Sequence, residues 1–202
     1  IIPQQDTGFF GQTEINYQDK IIGTLGIRAD KSSNNGDSSK LYYYPKANLA
    51  VNLHNFDFWN IDAISSIKPR IAYGEAGSFS NFRDRFTVFD GQLIGGNSGL
   101  SQNLLLGNSD VGPERQKELE YGLDFGLLDN RINVEFTVYN KKVEDVLLEV
   151  DFPTSSGFTT KIQNAAELEN RGVELGINAN IINKQDFTWD SSIKWWKNKS
   201  EV

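Results

Sequence analysis

The sequence contains no cysteine and no methionine, and His54 is its single histidine among 202 residues. The lack of cysteine excludes disulfides, thiolate zinc sites and cysteine nucleophiles, and one histidine excludes metal sites built from several imidazoles. No apolar run approaches the roughly 18 residues that a transmembrane helix needs. The N-terminus carries neither a start methionine nor a secretory signal, so we expect a mature chain or a piece of a longer one.

Basic residues are in deficit as well. The 20 Lys and Arg residues stand against 27 Asp and Glu residues, which gives a net charge of −7. Nucleic-acid binding needs a surface excess of Lys and Arg, so no nucleic-acid partner is predicted. Aromatic residues nevertheless make up 12% of the chain, and disordered chains are poor in them. The composition therefore indicates a folded, acidic protein.

What the sequence has in abundance is alternation of apolar and polar residues. Ile21, Leu25 and Ile27 alternate with Thr24 and Arg28, for example. Side chains on a strand point to opposite faces in turn, so each such segment predicts a strand with one apolar and one polar face. Eight segments show the pattern: 8–17, 20–30, 42–54, 66–77, 115–128, 131–145, 170–183 and 186–198.

The connections between these strands are short on one side and long on the other. The short side has tight turns at Gln18-Asp19, Asp129-Asn130 and Lys184-Gln185, together with residues 55–65, in which a short helix is predicted at 62–66. The long side has loops rich in Gly, Ser and Asn at 31–41, 79–113 and 149–169. Outer-membrane barrels have this asymmetry, and their strands need about nine to eleven residues to span the bilayer.

Alternation alone leaves two folds open, because strands of a soluble β-sandwich also have one polar face. Strand length and loop asymmetry favour an all-β fold in which antiparallel up-and-down strands form part of a transmembrane β-barrel. Both ends of the chain fall on the long-loop side, whereas a small closed barrel has them on the short-turn side. Since unpaired strand edges are not tolerated in lipid, we expect further strands of a larger barrel.

The polar faces of the strands carry both signs of charge, which is typical of a water-filled or plugged lumen. We therefore predict that they face the lumen. The predicted lumen-facing residues are Arg28, Lys46, Asn48, Lys68, Arg70, Glu118, Glu120, Asp124, Glu135, Glu174 and Asn178.

Motifs for catalysis and metal binding are weak. Glu118 and Glu120 share a strand face, but no apolar pocket that would raise a carboxyl pKa is recognisable around them. Ser98 lacks the spacing of a nucleophile elbow, and residues 30–37 depart from a calcium loop in the position of glycine and in the closing Glu. His54 has no partner ligands. No catalytic residue, metal site or cofactor is predicted.

Aromatic residues suggest two further roles. Tyr42-Tyr43-Tyr44, Trp59 and Trp195-Trp196 lie near strand ends, where they form a membrane-interface girdle, pack on the sheet or stack on sugars from the lumen. The long loop 79–113 combines aromatic rings with arginines, and it either binds a glycan or peptide or packs against neighbouring loops. Its candidate ligand-binding residues are Phe79, Phe82, Arg83, Arg85, Phe86 and Phe89.

Specific motifs extend this prediction. Glu120-Tyr121-Gly122-Leu123-Asp124 is followed by Asn130-Arg131 and Tyr139-Asn140-Lys141-Lys142, and later by Glu169-Asn170-Arg171-Gly172-Val173-Glu174-Leu175. Upstream, Arg28-Ala29-Asp30-Lys31-Ser32-Ser33 ends a strand. In this order, and over nearly the whole chain, the sequence resembles the SusC/RagA-type TonB-dependent outer-membrane transporters.

The resemblance implies a 22-stranded barrel in the bacterial outer membrane that imports an oligosaccharide or a peptide. It implies as partners the membrane lipid, a SusD-like surface lipoprotein that acts as a lid, and TonB, which pulls on a plug inside the barrel. Residues 1–202 contain no plug and no TonB box, so they correspond to about eight strands of barrel wall and to no enzyme. The alternatives are a soluble β-sandwich that binds carbohydrate and a passive porin-like channel.

Overall fold

The computed structural model describes residues 4–202. Eleven strands account for most of this range, with a single-turn helix α1 at Phe82–Arg85 and 3₁₀ turns at Leu53–Asn55 and Thr154–Ser156. The strands are β1 (Asp6–Tyr17), β2 (Ile21–Ser32), β3 (Tyr42–Val51), β4 (Ile64–Ser78), β5 (Phe89–Ile94), β6 (Asn97–Gln102), β7 (Leu105–Leu106), β8 (Glu114–Leu127), β9 (Ile132–Asp151), β10 (Thr160–Lys184) and β11 (Phe187–Glu201).

The eight long strands form one antiparallel meander in the order β1-β2-β3-β4-β8-β9-β10-β11. Strand β7 adds a short parallel pair to β10, and β5 pairs with β6 in a separate two-stranded hairpin. The predicted all-β, up-and-down arrangement is therefore confirmed. Within residues 4–202, no helix is both long enough and apolar enough to cross a membrane.

The register of the strands keeps apolar residues beside apolar residues. Ile71 of β4 lies opposite Tyr121 of β8, Tyr121 opposite Val138 of β9, and Val138 opposite Val173 of β10. A shift of one residue in any pair would move a whole apolar set to the other face. The register therefore produces one continuous apolar face and one continuous polar face across the sheet.

The sheet has almost no buried hydrophobic core. The hydrophobic residues that are buried among those described are Tyr44, Val111 and Val143, whereas Leu25, in the middle of β2, remains 62% exposed. A soluble β-sandwich would cover its apolar faces with a second sheet, and the second sheet here is the small β5–β6 hairpin of the outer loop. The soluble β-sandwich predicted as an alternative is therefore wrong.

Tight turns join strands at one end of the sheet. Gln18 and Asp19 both have φ of 53°, and Leu128, Asp129 and Asn130 have φ of 53–59°. Positive φ at the central turn positions matches the right-handed twist of the flanking strands, and Asn and Asp adopt it most readily after Gly. The third turn is Gln185-Asp186, one residue later than predicted.

Two further sequence predictions differ from the structure. The helix predicted at 62–66 is wrong, because β4 already begins at Ile64. Strands β9 and β10 are longer than predicted, and they pair with each other up to Thr160 opposite Asp151, so their connection shrinks to residues 152–159. The added parts of β9 and β10 stabilise each other by pairing. They lack the alternation of apolar and polar residues from which the strands are predicted.

At the opposite end of the sheet, the long loops pack against one another. The Gly36 amide donates to the Val111 carbonyl (2.7 Å), the Ser80 hydroxyl donates to the Asn34 carbonyl (2.9 Å), and Val111 is 1% exposed. We call this end, formed by residues 33–41, 79–113 and 152–159, the outer loop cluster. It is a packed structure on top of the sheet, with its own small buried centre.

Candidate functional site

The polar face of the sheet carries the predicted lumen-facing residues. Strand pairing places them side by side: Lys68 lies opposite Asp124, Asp124 opposite Glu135, and Glu174 opposite Trp196. By the same parity all eleven residues share this face, so the structure brings together the set that was proposed from alternation.

An ion-pair network occupies the centre of the polar face. Arg70 donates from Nη2 to the Thr137 hydroxyl (2.6 Å) and from Nε to Asp124 Oδ1 (3.3 Å), and it also pairs with Glu120. Lys68 Nζ lies 3.1 Å from the second oxygen of Asp124. The network joins β4, β8 and β9, and it engages Glu120, one of the two carboxylates considered for catalysis.

Glycines let long side chains of the polar face lie flat on the sheet. A β-carbon at Gly172 would come within 2.3 Å of the ring of Tyr139, which is its cross-strand partner. Aromatic side chains cover cross-strand glycines in this way in other sheets. The Tyr139 ring therefore lies along the sheet, over Gly172 of the neighbouring strand.

Two largely exposed aromatic residues lie on the polar face outside the set of eleven predicted lumen-facing residues. Trp196 is 69% exposed and lies opposite Glu174, and Phe10 is 82% exposed and lies opposite Arg28. Strict alternation along the strand contained this signal, because Trp196 is out of phase with the apolar Trp195. The prediction from clustering at strand ends treated both tryptophans alike.

The same parity corrects the predicted aromatic girdle. Only Tyr43 of the three consecutive tyrosines has its side chain on the apolar face, while Tyr44 is buried on the polar face. Trp195 lies on the apolar face and Trp196 on the other. Consecutive strand residues point to opposite faces of a sheet, so the prediction of a girdle on the apolar face is wrong for Tyr42, Tyr44 and Trp196.

Four of the six candidate ligand residues make side-chain contacts within the outer loop cluster. Phe82 and Phe86 stack at 5.4 Å between ring centroids, and the Arg85 guanidinium lies 5.0 Å from the Phe86 ring while donating to the Ser33 carbonyl (3.2 Å). Arg83 lies 3.9 Å from an oxygen of Asp90. Four of these residues thus make contacts within the loops.

The remaining two candidates, Phe79 and Phe89, take part in no ring pair within residues 4–202. Phe89 begins the β5–β6 hairpin and is 63% exposed. A binding role for any of the six residues stays a prediction.

The weak chemical motifs have structural roles. His54 lies in a 3₁₀ turn, not at a strand end, and its Nδ1 accepts the Ile67 amide (3.2 Å). Asp30 pairs with Arg28, and Ser98 belongs to the β5–β6 hairpin. No group of three metal-binding side chains occurs in the described part of the chain.

Asp37 stabilises the β2–β3 loop. Its Oδ1 accepts hydrogen bonds from the Ser39 hydroxyl (2.6 Å) and the Ser39 amide (2.9 Å). These bonds favour the charged carboxylate and hold the pKa of Asp37 below its ordinary value. The segment considered for calcium binding is therefore a loop closed by its own side chains.

Comparison with known proteins places this two-faced sheet in a family. Residues 2–200 match the family described as TonB dependent receptor-like, beta-barrel. TonB-dependent receptor P3 of Formosa agariphila is 32% identical over 96% of this chain, and TonB-dependent receptor SusC of Bacteroides thetaiotaomicron is 27% identical over 96%. The chain spans about 20% of the length of both relatives.

A solved structure of the RagAB peptide transporter superposes with a TM-score of 0.87, at 23% identity, over 98% of this chain and 22% of that one. The likeness shows that the open meander is the fold of a barrel wall. The resemblance to SusC/RagA-type proteins is thus confirmed, as is location in the outer membrane. This chain belongs to the TonB-dependent receptor β-barrel family.

Proposed function

We propose that this chain is a wall segment of a TonB-driven outer-membrane importer that takes up an oligosaccharide or a peptide. The observation that carries the proposal is the unbroken apolar face opposite an unbroken charged face, in a sheet without a core. In an outer-membrane barrel the first face contacts lipid and the second faces the lumen. Membership of the TonB-dependent receptor family supports TonB as the source of energy for import.

The height of the apolar face fits a bilayer. On β8 it runs from Leu119 to Leu127, which is about 27 Å along the strand at ~3.4 Å per residue. A strand tilt of about 40° projects this length to roughly 20 Å, close to the apolar band of known barrels. Above Leu119 the same face continues with Lys117 and Arg115, so it becomes charged where the lipid would end.

Two features of the polar face support a role in transport: the ion-pair network around Arg70 and two exposed aromatic rings. The network around Arg70 is fully paired, which suits a fixed wall against which a plug moves. Trp196 and Phe10 are exposed among charged residues, and aromatic faces of this kind stack on sugar rings or on peptide side chains. The RagAB protein is described as a peptide importer. Because exposed aromatic rings also stack on sugars, the proposal includes both peptides and oligosaccharides.

The outer loop cluster supports the proposed partnership with a surface lipoprotein. It is packed rather than loose, and the Gly112 amide and carbonyl both bond to the side chain of Asn164 on β10 (2.9 and 3.1 Å). Such a fixed platform at the outer end of the barrel suits a SusD-like lid. TonB would act through a plug that these residues do not include.

The test is uptake by cells that express the full-length protein containing this chain. Growth on a defined oligosaccharide or a defined peptide mixture as sole nutrient is measured with and without TonB, and radiolabelled uptake is measured in parallel. We expect uptake to depend on both the protein and TonB. Uptake that persists without TonB would indicate a passive channel and contradict the proposal, and a strain lacking only the protein serves as the baseline.

A further inference from the structure

The apolar face contains a groove near its outer end. It has a volume of about 340 Å³ and is lined by residues of β8 to β11. Its floor is apolar, with Leu119, Val138 and Val173 contributed by three neighbouring strands. Its position on the lipid side separates it from the polar face that is proposed to line the lumen.

Three cations border the groove on the side of the long loops. They are Arg171, Lys197 and Lys199, which come from the paired strands β10 and β11. Lys197 lies opposite Val173 in the register, and Lys199 lies opposite Arg171, so the charges begin directly where the apolar floor ends.

The order of charges along the strands is the same on both. On β10, Val173 is followed outward by Arg171 and then Glu169, and on β11 Lys197 and Lys199 precede Glu201. Arg171 donates to both oxygens of Glu169 (2.9 Å each), and Lys199 pairs with Glu201. Lys197 has no carboxylate oxygen within 4.0 Å in the part of the chain that is described. One uncompensated cation therefore stands at the boundary of the apolar band.

We propose that this groove binds a phosphate-bearing, multiply acylated lipid of the outer leaflet. Its acyl chain would lie on the apolar floor, and its phosphate would contact Lys197, Lys199 and Arg171. Cations close to a membrane surface attract anionic head groups, and long Lys and Arg side chains reach from an apolar surface into the head-group layer. The inference rests on the lipid-facing half of the proposed function and does not depend on import.

The apolar floor and the basic rim together favour a phosphorylated lipid as the occupant of the groove. A strand of the same barrel would pair with the edge of β11 rather than cover the face of β8 to β10. A neighbouring protein would need a surface that matches an apolar floor and a basic rim together. A phosphorylated lipid supplies both features within one molecule.

The test uses native mass spectrometry of the full-length protein containing this chain, released from detergent micelles, with added monophosphorylated lipid A as the probe. The same glycolipid after enzymatic removal of phosphate is the chemical control. We expect the double variant Lys197→Gln/Lys199→Gln to bind the phosphorylated probe about 25-fold more weakly, at about fivefold per removed charge. Binding of the dephosphorylated probe should change little.

The matched control is the double variant Lys194→Gln/Lys46→Gln, which removes the same charge from the polar face and should bind the probe as the wild type does. Equal binding of the two probes, unchanged binding by Lys197→Gln/Lys199→Gln, or a protein segment filling the groove in a structure of the complete barrel would each overturn the inference. Uptake is measured separately on the same variants, so a failure of TonB-dependent import leaves the lipid result readable.

Discussion

The guanidinium of Arg70 lies across Gly122, so closely that a β-carbon at position 122 would come within 2.4 Å of the guanidinium carbon. The two residues are direct partners in the pairing of β4 with β8. Because Gly122 has no side chain, Arg70 can lie flat on the sheet and reach Asp124 and Thr137 together. The glycine is thus a requirement of the ion-pair network on the polar face.

Substituting this glycine should therefore disturb the network. In Gly122→Ala, the new methyl group would force Arg70 away from its partners, and overpacking of this kind costs about 1–3 kcal/mol. We expect the full-length protein to lose its compact, heat-modifiable gel mobility at a lower temperature than the wild type. The measurement is the temperature of that mobility change in detergent.

Gly74 provides the matched control, because it lies on the same face of β4 and a β-carbon there would meet no atom within 4 Å. Gly74→Ala should unfold at the wild-type temperature. If both variants unfold alike, the close approach of Arg70 to position 122 does not stabilise the wall.

The two adjacent tryptophans of β11 should have separable effects. Trp196 is exposed on the polar face, so Trp196→Ala should weaken uptake or binding of the substrate while leaving heat-modifiability unchanged. A stacking contact is worth about 0.5–1.5 kcal/mol, so the expected loss is roughly two- to tenfold. Substrate binding to the purified full-length protein, measured by isothermal titration calorimetry, checks this.

Trp195→Ala is the counterpart, because that side chain lies on the apolar face. It should lower the temperature of the mobility change and leave substrate affinity unchanged. A result in which Trp195→Ala alone weakens substrate binding would reverse the assignment of the two faces.

Alternation made the two faces of the sheet predictable from the sequence. Each residue such as Leu25 or Glu118 has its face fixed by parity, and cross-strand pairing preserves the parity over the whole sheet. The wrong predictions concern residues whose position near a strand end was given more weight than their place in the alternation. Tyr44 and Trp196 were grouped with their neighbours because aromatic residues cluster at strand ends, although adjacent residues must face opposite ways.

The outer loop cluster was beyond the reach of local patterns. Its structure depends on contacts between distant segments, such as the bond from Gly36 to Val111 and the bond from the Asn108 side chain to the Ile162 carbonyl (2.9 Å). A single sequence contains no periodic signal for such contacts.

Acid should loosen the β2–β3 loop through Asp37. The bonds from Ser39 lower the pKa of this carboxyl in the folded protein, so its stabilisation is complete above the unfolded pKa of about 4 and is lost as pH falls through the lower folded pKa. We expect the amides of residues 33–41 to lose protection from hydrogen exchange in that acidic window, after correction for intrinsic rates. In Asp37→Ala the protection should be low at every pH, and equal protection of the two proteins at neutral pH would contradict the role of this carboxylate.

The assignment of the apolar face to lipid predicts a sharp difference between two arginine substitutions at one depth. Leu25 lies in the middle of the apolar face of β2, and Asn48 lies on the neighbouring strand at nearly the same depth but on the polar face, opposite Thr24. An arginine in contact with lipid near the bilayer midplane costs about 2–4 kcal/mol, whereas an arginine in a water-filled lumen costs little. Leu25→Arg should therefore reduce the amount of folded protein in the outer membrane and lower its unfolding free energy in urea with lipid vesicles, while Asn48→Arg should leave both near the wild-type values. Similar losses in the two variants would mean that the two faces are not divided between lipid and a water-filled lumen.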